Sequence, residues 1–471
     1  MAMMLAIALL VSPCALAGGA LSRTLARQME LNRERYGIPG QALLVAHNGR
    51  VLFRGVDGEA DLRTHERLTT DFVFPGYSLS KLFVSALVMQ LVESGQVALD
   101  APASTYLPDL PARWKAISVR DFLDHTSGVP DYFDTHQGKE TAGNTQFPPD
   151  LQAVFGSLAD VPLLFLPGTK SRYTQTNYVV LAALLAKHYG KPYAQVAQER
   201  IIDRLHLQHT WLGMATPPKQ RVVSSYIGRE GHLEEETDLP WPAYAYGHAT
   251  LHISLDDLAR FLQAMTSGEL VSKSTLQRLW QPRMLADGQR GWFAIGWEYG
   301  ESGAYRQVGH DGGTRVRVRI LFDGTLDGDV YIFIYLTNGS AKNVWSRMLV
   351  DSAMAVVAPD RFPVEALSEA LVGYALRPPA EGDTLAQAKR IRAGTTLSDM
   401  ELERTINTAG YTIRENLGVD PALRVFVLNT VLFPDSANAW DSLAEAHAAK
   451  GDTQGAKLLY EKSRRLSSRQ R

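Results

Sequence analysis

The chain has 471 residues, 45% of them hydrophobic and 21% charged, with a formal net charge of -2. That length exceeds what one ordinary hydrophobic core organises, so two or more folded units are expected. The balance of charge holds no basic surplus of the kind nucleic-acid binding requires.

Residues 3–16 form an apolar run too short to span a bilayer. It ends in Ala15-Leu16-Ala17, a small-x-small cleavage pattern. The reading is a signal peptide over residues 1–17, hence a periplasmic or secreted protein with no stable membrane span after cleavage. The run lacks a positive flank, and an uncleaved N-terminal anchor is the alternative. Cys14 is the only cysteine and would leave with the signal, which removes disulfide and thiol chemistry from the mature chain. The sequence holds no His/Cys/Asp/Glu cluster with metal-ligand spacing, no phosphate-binding loop and no dinucleotide fingerprint, so no cofactor is expected.

QALLVAHNGRVLFRGVDG, residues 41–58, reads as two strands joined at Asn48-Gly49, the strongest short hairpin signal. Residues 78–93 then place Leu79, Leu82, Phe83, Ala86, Leu87 and Leu91 at helical spacing, and Gly95 is placed to end that helix. From about 100 to 290, helical segments alternate with long loops rich in proline, glycine and aromatic residues. Strands return at 304–312, 315–324 and 329–338. RVRVRIL, within the second, alternates charge with apolar side chains, as a strand with one wet face should. YIFIYL, within the third, has no alternation and reads as buried on both faces. The predicted fold is α/β: one antiparallel sheet built from both ends of residues 25–357, flanked by helices, with a helical subdomain inserted at about 100–290.

Residues 358–400 read as linker and helices. Beyond them Ala409-Gly410, Ala422, Phe426 and Pro434 are matched 34 residues later by Leu443-Ala444, Ala456, Tyr460 and Ser468, with only the proline lost. Small and aromatic positions at that period resemble two tetratricopeptide repeats over 401–468. Two repeats are fewer than such an array needs to stand alone, so docking on the main domain or on 358–400 is expected. A protein or peptide partner at the repeats is the corresponding binding expectation.

The chemistry centres on Ser78 and Lys81, three residues apart and so on one face of a helix. A serine hydroxyl is a poor nucleophile until a base removes its proton. A lysine can do so when burial lowers its pKa from about 10.4. Alternatively, a charged Lys81 stabilises a tyrosinate that acts as base. Tyr173 stands where a loop meets a hydrophobic helix and can serve as base and acid. His310-Asp311-Gly312-Gly313 joins two strands. Its glycines admit a substrate backbone, and the amides of Gly313 and Ser78 can hold an oxyanion.

Ser78-Leu79-Ser80-Lys81, Tyr173-Thr174-Gln175 and His310-Asp311-Gly312, in that order, resemble the serine β-lactamase and penicillin-binding-protein superfamily. The closest branch is that of class C β-lactamases, DD-peptidases and related esterases. DFLDHTSGVPDY, 121–132, is similar to the family's H-T-S-G segment. The resemblance implies a metal-free acyl-enzyme mechanism in which Ser78 is acylated, Lys81 and Tyr173 move its proton, and Gln175, His310, Gly312 and Gly313 bind substrate or oxyanion. Two departures stand out. Gln175 replaces an asparagine and reaches one methylene further. His310 replaces a lysine whose fixed charge would hold a substrate carboxylate, and histidine is mostly neutral at pH 7. Both turn the expectation toward small esters and D-amino-acid peptides or amides, with a β-lactamase or a catalytically weak binding protein as alternatives. His125 is expected to support its loop, without a chemical role.

Overall fold

A computed structural model describes residues 13–133, 147–213, 221–237, 239–377 and 382–469. The chain forms two compact units, one of residues 36–350 and one combining the N-terminal segment to Arg35 with 351–471. The first and last stretches of the expected 25–357 domain therefore group with the C-terminal helices.

Unit 36–350 is built on strands β1 (Gly40–His47), β2 (Arg50–Asp61), β3 (Glu66–Arg67), β4 (Val73–Tyr77), β5 (Thr210–Leu212), β6 (Ser225–Arg229), β7 (His232–Glu236), β8 (Leu251–Ser254), β9 (Phe293–Ala294), β10 (Trp297–Ser302), β11 (Tyr305–Gly312), β12 (Val316–Phe322) and β13 (Val330–Thr337). Eight of them make one antiparallel sheet in the order β3-β2-β1-β13-β12-β11-β10-β9. Strands from the two ends of the unit meet where β1 pairs with β13, Leu43 opposite Tyr335. The β1–β2 turn is Asn48-Gly49, both at positive φ, and pairs His47 with Arg50. Those two left-handed residues give the turn the twist that antiparallel strands share.

The middle of the unit is mostly helical but also supplies strands. β4, β8 and β5 form a three-stranded sheet and β6–β7 a hairpin. These strands have three to five residues, too short for alternation to register in the sequence. The helix Ser80–Glu93 carries eleven buried residues, from Ser80 to Leu91. It sits in one apolar core with Val316, Val318 and Ile320 of β12 and Ile332 and Ile334 of β13. Burial on all sides explains its near-continuous apolar sequence. Gly95, at φ +71°, follows its last turn.

β13 is buried along its whole length, as its unbroken apolar run predicts. β12 is buried too, which corrects the wet face expected of RVRVRIL. The alternation is present, but Arg317 and Arg319 are 3% and 6% exposed. Ion pairs to Glu298 and Asp311 hold their guanidinium groups.

In the second unit the helix Pro13–Tyr36 contributes Gln28 and Arg35, which donate to Glu369 of the helix Pro363–Leu376. The expected cleavage point after Ala17 falls within the first helix, and residues 1–12 of the expected signal lie outside the described residues. Helices Asp399–Leu417, Val419–Leu432, Ala437–Ala449 and Thr453–Arg469 form two successive hairpins. Gly410 is needed where the first pair crosses: a Cβ there would stand 2.6 Å from the Phe426 ring. Helices Pro363–Leu376 and Asp383–Gly394 pack against this first pair. Arg424 ties them together by donating to Asp383 at 2.9 Å and to the Ala375 carbonyl at 3.3 Å. Segment 358–400 thus gives the repeat-like hairpins the docking layer that two of them alone lack. Among the described residues no helix is long and apolar enough to cross a membrane.

Candidate active site

β4 leads into the helix Ser80–Glu93 through Tyr77, Ser78 and Leu79. Tyr77 has φ +47°, a conformation costly for a residue with a side chain. Around it the backbone is pinned: the Leu79 amide donates to the Gly76 carbonyl at 2.9 Å, and the Ser80 hydroxyl donates to the Tyr77 carbonyl at 2.6 Å. Ser80 also accepts from the Leu251 amide of β8 at 2.9 Å. Ser78 is therefore held just ahead of a helix N-terminus, whose partial positive charge favours anionic character there.

Lys81 comes from the first turn of that helix and is fully buried. Its Nζ lies 3.3 Å from Ser78 Oγ, 2.8 Å from Gln175 Oε1 and 2.9 Å from the His248 carbonyl oxygen. Burial drives its pKa well below the ordinary lysine value, and the negative charge of Asp131 only partly opposes this. A neutral amine has two N–H donors and one lone pair. Gln175 and the His248 carbonyl accept from the two donors, so the lone pair is left for the Ser78 hydroxyl. The longer side chain of Gln175 thus reaches the lysine and anchors it.

Tyr173 donates to Ser78 Oγ at 3.0 Å. Burial pushes its phenol well above the ordinary range, with Ser78 and Gln175 pulling the other way. A neutral phenol beside a neutral amine is the state this environment favours. His125 sets the position of Tyr173. Its ring lies 4.4 Å from the tyrosine ring, and its Nδ1 accepts from the Thr174 amide at 3.3 Å and the Asn177 side chain at 3.0 Å. The loop-supporting role expected of His125 takes this form.

The end of β11 approaches the nucleophile closely. A Cβ on Gly312 would stand 2.3 Å from the Gly76 carbonyl oxygen, and one on Gly313 would stand 3.1 Å from the Tyr77 ring. Gly313 also has φ +54°. Gly312→Ala should force β11 away from Ser78. We expect it to lower ester hydrolysis and to cost about 1–3 kcal/mol of stability, read in parallel by initial rates and thermal melts.

Ser78, Tyr173, His310 and Gly313 line one open cleft of about 650 Å³, with Trp292 and Phe293 on its wall. Trp292 is 65% exposed, which is unusual for so large an apolar ring. His310 is buried, and its Nδ1 lies 2.6 Å from the Asp311 carbonyl oxygen. Burial lowers its pKa, against the pull of Glu298. Glu298, Asp311, Arg317 and Arg319 line the same cleft. Arg317 donates to Glu298 at 2.8 Å and also pairs with Asp311, while the Ser346 hydroxyl donates to Asp311 at 2.8 Å.

All seven predicted site residues thus gather around Ser78 or on the β11 end beside it. Four contributors are absent from the sequence reading. The His248 carbonyl is a backbone group, and nothing in its side chain announces it. Asp131 accepts from the Gln175 amide at 2.8 Å, and its position beside the His-Thr-Ser-Gly run was the available signal. Glu298 and Arg317 were hidden because alternating charge reads as a solvated face. Loops 133–165 and 213–248 are expected from the sequence to shape the pocket, with Trp241, Tyr244 and Tyr246 as apolar walls; of these loops, residues 134–146, 214–220 and 238 lie outside the described residues. Trp241 does pack against Phe133 and Phe147, at 5.8 and 4.9 Å between ring centroids, and lines a small cavity beside Tyr77.

A serine just ahead of a helix N-terminus, a buried amine facing it and a tyrosine hydroxyl bonded to it, set between an antiparallel sheet and helices, are the arrangement of a serine hydrolase. The chain belongs to the Beta-lactamase family, whose model matches residues 21–348. It is 26% identical over 278 residues to a β-lactamase of Escherichia coli K12, covering 56% of this chain and 68% of that protein. It is 28% identical over 288 residues to a D-aminopeptidase of Brucella canis, covering 60% of this chain and 53% of that one. The chain therefore spans about half the length of that D-aminopeptidase. Similar solved structures include EstCE1, a hydrolase with promiscuous acyltransferase activity, with a TM-score of 0.60 and 21% identity over 72% of this chain and 99% of that one. Another is the D-amino acid amidase of Ochrobactrum anthropi SV3, with a TM-score of 0.58 and 20% identity over 73% of this chain and all of that one.

Proposed function

We propose that this protein is an acyl-enzyme-forming hydrolase of small esters and of D-amino-acid peptides or amides, with Ser78 as nucleophile and Lys81 as its base. The observation that carries the reading is the placement of Lys81: a buried amine whose two hydrogens are taken by Gln175 and the His248 carbonyl, with Ser78 Oγ 3.3 Å from Nζ. Tyr173 passes a proton to the leaving group, and the amides of Ser78 and Gly313 face the oxyanion.

The substrate class rests on the cleft. His310 brings no fixed charge where the family's lysine would, and Arg317 and Arg319 are engaged by Glu298 and Asp311. Nothing at that position demands a substrate carboxylate, while Trp292 and Phe293 favour apolar groups. The relatives named above act, by their names, on D-amino-acid compounds and β-lactams. A panel of p-nitrophenyl esters, D-amino amides and a chromogenic cephalosporin separates these classes. Wild-type protein is expected to be labelled at Ser78 by a fluorophosphonate and to cleave the short esters. Ser78→Ala is expected to do neither, and an unlabelled Ser78, or equal ester cleavage by Ser78→Ala, would sink the proposal.

The reading places the enzyme in the cell envelope or outside it, after cleavage behind Ala17. N-terminal sequencing of the mature protein tests that. The 34-residue period and the hairpins of 399–469 support tetratricopeptide repeats, with a peptide or protein partner as the corresponding role.

A further inference from the structure

We infer that His310 is the general base of deacylation: it takes the proton from the water that hydrolyses the acyl-Ser78 ester. The inference rests on the acyl-enzyme reading above and adds a second base to it.

The tautomer follows from one hydrogen bond. A carbonyl oxygen can only accept, so His310 Nδ1, 2.6 Å from the Asp311 carbonyl, must carry the hydrogen. In the neutral ring Nε2 then presents a lone pair. Nε2 is buried and has no hydrogen-bond partner among the described residues, although the ring lines the cleft shared by Ser78 and Tyr173. A buried acceptor left without a donor costs about 1–3 kcal/mol. A donor in the cleft, such as water, relieves that cost.

The other candidates are unsuited to the second half of the reaction. Lys81 has its hydrogens held by Gln175 and the His248 carbonyl and its lone pair turned to Ser78 Oγ, the atom that carries the acyl group. Tyr173 is a neutral phenol already donating to Oγ. Glu298 and Asp311 line the cleft but are engaged in ion pairs with Arg317. The step balances as follows. Nε2 takes a proton from water as the water oxygen bonds to the ester carbonyl carbon. Collapse of the tetrahedral adduct breaks the bond between that carbon and Oγ, and the carboxylic acid leaves. The imidazolium proton returns to Oγ by way of a cleft water and the Tyr173 hydroxyl, which donates to Oγ at 3.0 Å.

The groups facing His310 are Glu298 of β10, Lys81 of the nucleophile helix, His125, Tyr173 and Asp311, with Arg317 of β12 paired to the two carboxylates. Burial outweighs the pull of Glu298, so the neutral ring persists below the ordinary imidazole range. The deacylation rate should hold through neutral pH and fall only in more acidic solution.

The test uses the full chain with p-nitrophenyl butyrate, following the p-nitrophenol burst and the mass of the intact protein. His310→Asn keeps an N–H donor on the side chain and removes the titrating acceptor. His310→Lys puts a cation there instead. Both are expected to lose deacylation far more than acylation, so that a p-nitrophenol burst is followed by an accumulating butyryl adduct on Ser78. Deacylation should slow by about 100-fold or more, with kcat and KM falling together. Equal deacylation in either folded variant overturns the inference, as does a burst lost in step with turnover. A wild-type protein that neither cleaves the ester nor is labelled at Ser78 by a fluorophosphonate overturns the hydrolase reading instead, so the two failures are distinct.

Discussion

Replacing Lys81 by methionine is expected to slow acylation of Ser78 by about 10³-fold, within the range that a positioned general base contributes, while the protein remains folded. Methionine fills the same volume without the amine, and the apolar residues around the helix Ser80–Glu93 accept it. Gln175 and the His248 carbonyl each lose a donor, which costs stability. Against this, wild type holds a neutral amine that the unfolded chain would protonate. The sign is definite. Between the depressed pKa of the folded state and about 10.4 in the unfolded state, the unfolded chain binds more protons, so wild-type stability rises with pH across that window. Lys81→Met should lose this rise. Denaturant titrations at neutral and alkaline pH measure it, and burst kinetics measure the acylation loss. A slope unchanged in the variant would mean that Lys81 is charged in the native state. That result would favour Tyr173 as the acylating base.

The parts of the fold that were legible in the sequence are those where one local rule decides. Asn48-Gly49 makes the hairpin because both residues accept positive φ, and an apolar run at helical spacing makes the buried helix Ser80–Glu93. The site was legible as a set of motifs because each places a reactive side chain beside a backbone device: a helix start, a loop-to-helix junction, a glycine pair. The choice between a neutral and a charged Lys81 was not legible. It depends on the His248 carbonyl, delivered from a loop 167 residues away, and on complete burial. Arg317 and Arg319 were misjudged for a related reason. Alternation reports that two faces differ, but whether the second face meets water or a buried carboxylate depends on strands paired far along the chain.

The half-buried carboxylate of Glu298 gives the second large effect. Glu298→Gln is expected to lower stability at neutral pH by about 3 kcal/mol, the typical cost of removing one partner of a buried ion pair. The Glu298 side chain is 27% exposed, against 4% for Arg317 and 8% for Arg319. Its burial alone would raise its pKa, but the charges of Arg317, His310 and Arg319 overcome this and hold it down at about 2. The folded value lies below the unfolded one. The stabilisation is therefore complete above about 4.3 and is lost as pH falls toward 2. A shift of that size corresponds to about 3 kcal/mol. Wild type should lose this contribution in acid and Glu298→Gln should not, so their stabilities should converge between pH 5 and pH 2. Arg317→Met leaves Glu298 to Arg319 and strips Asp311 of its guanidinium, so it should be at least as damaging at neutral pH. Because Asp311 also supplies the carbonyl that fixes the His310 tautomer, Arg317→Met should disturb turnover as well as stability. Glu298→Gln leaves Asp311 paired and should act mainly on stability. Denaturant midpoints and ester-hydrolysis rates, measured on both variants over that pH range, separate the two effects.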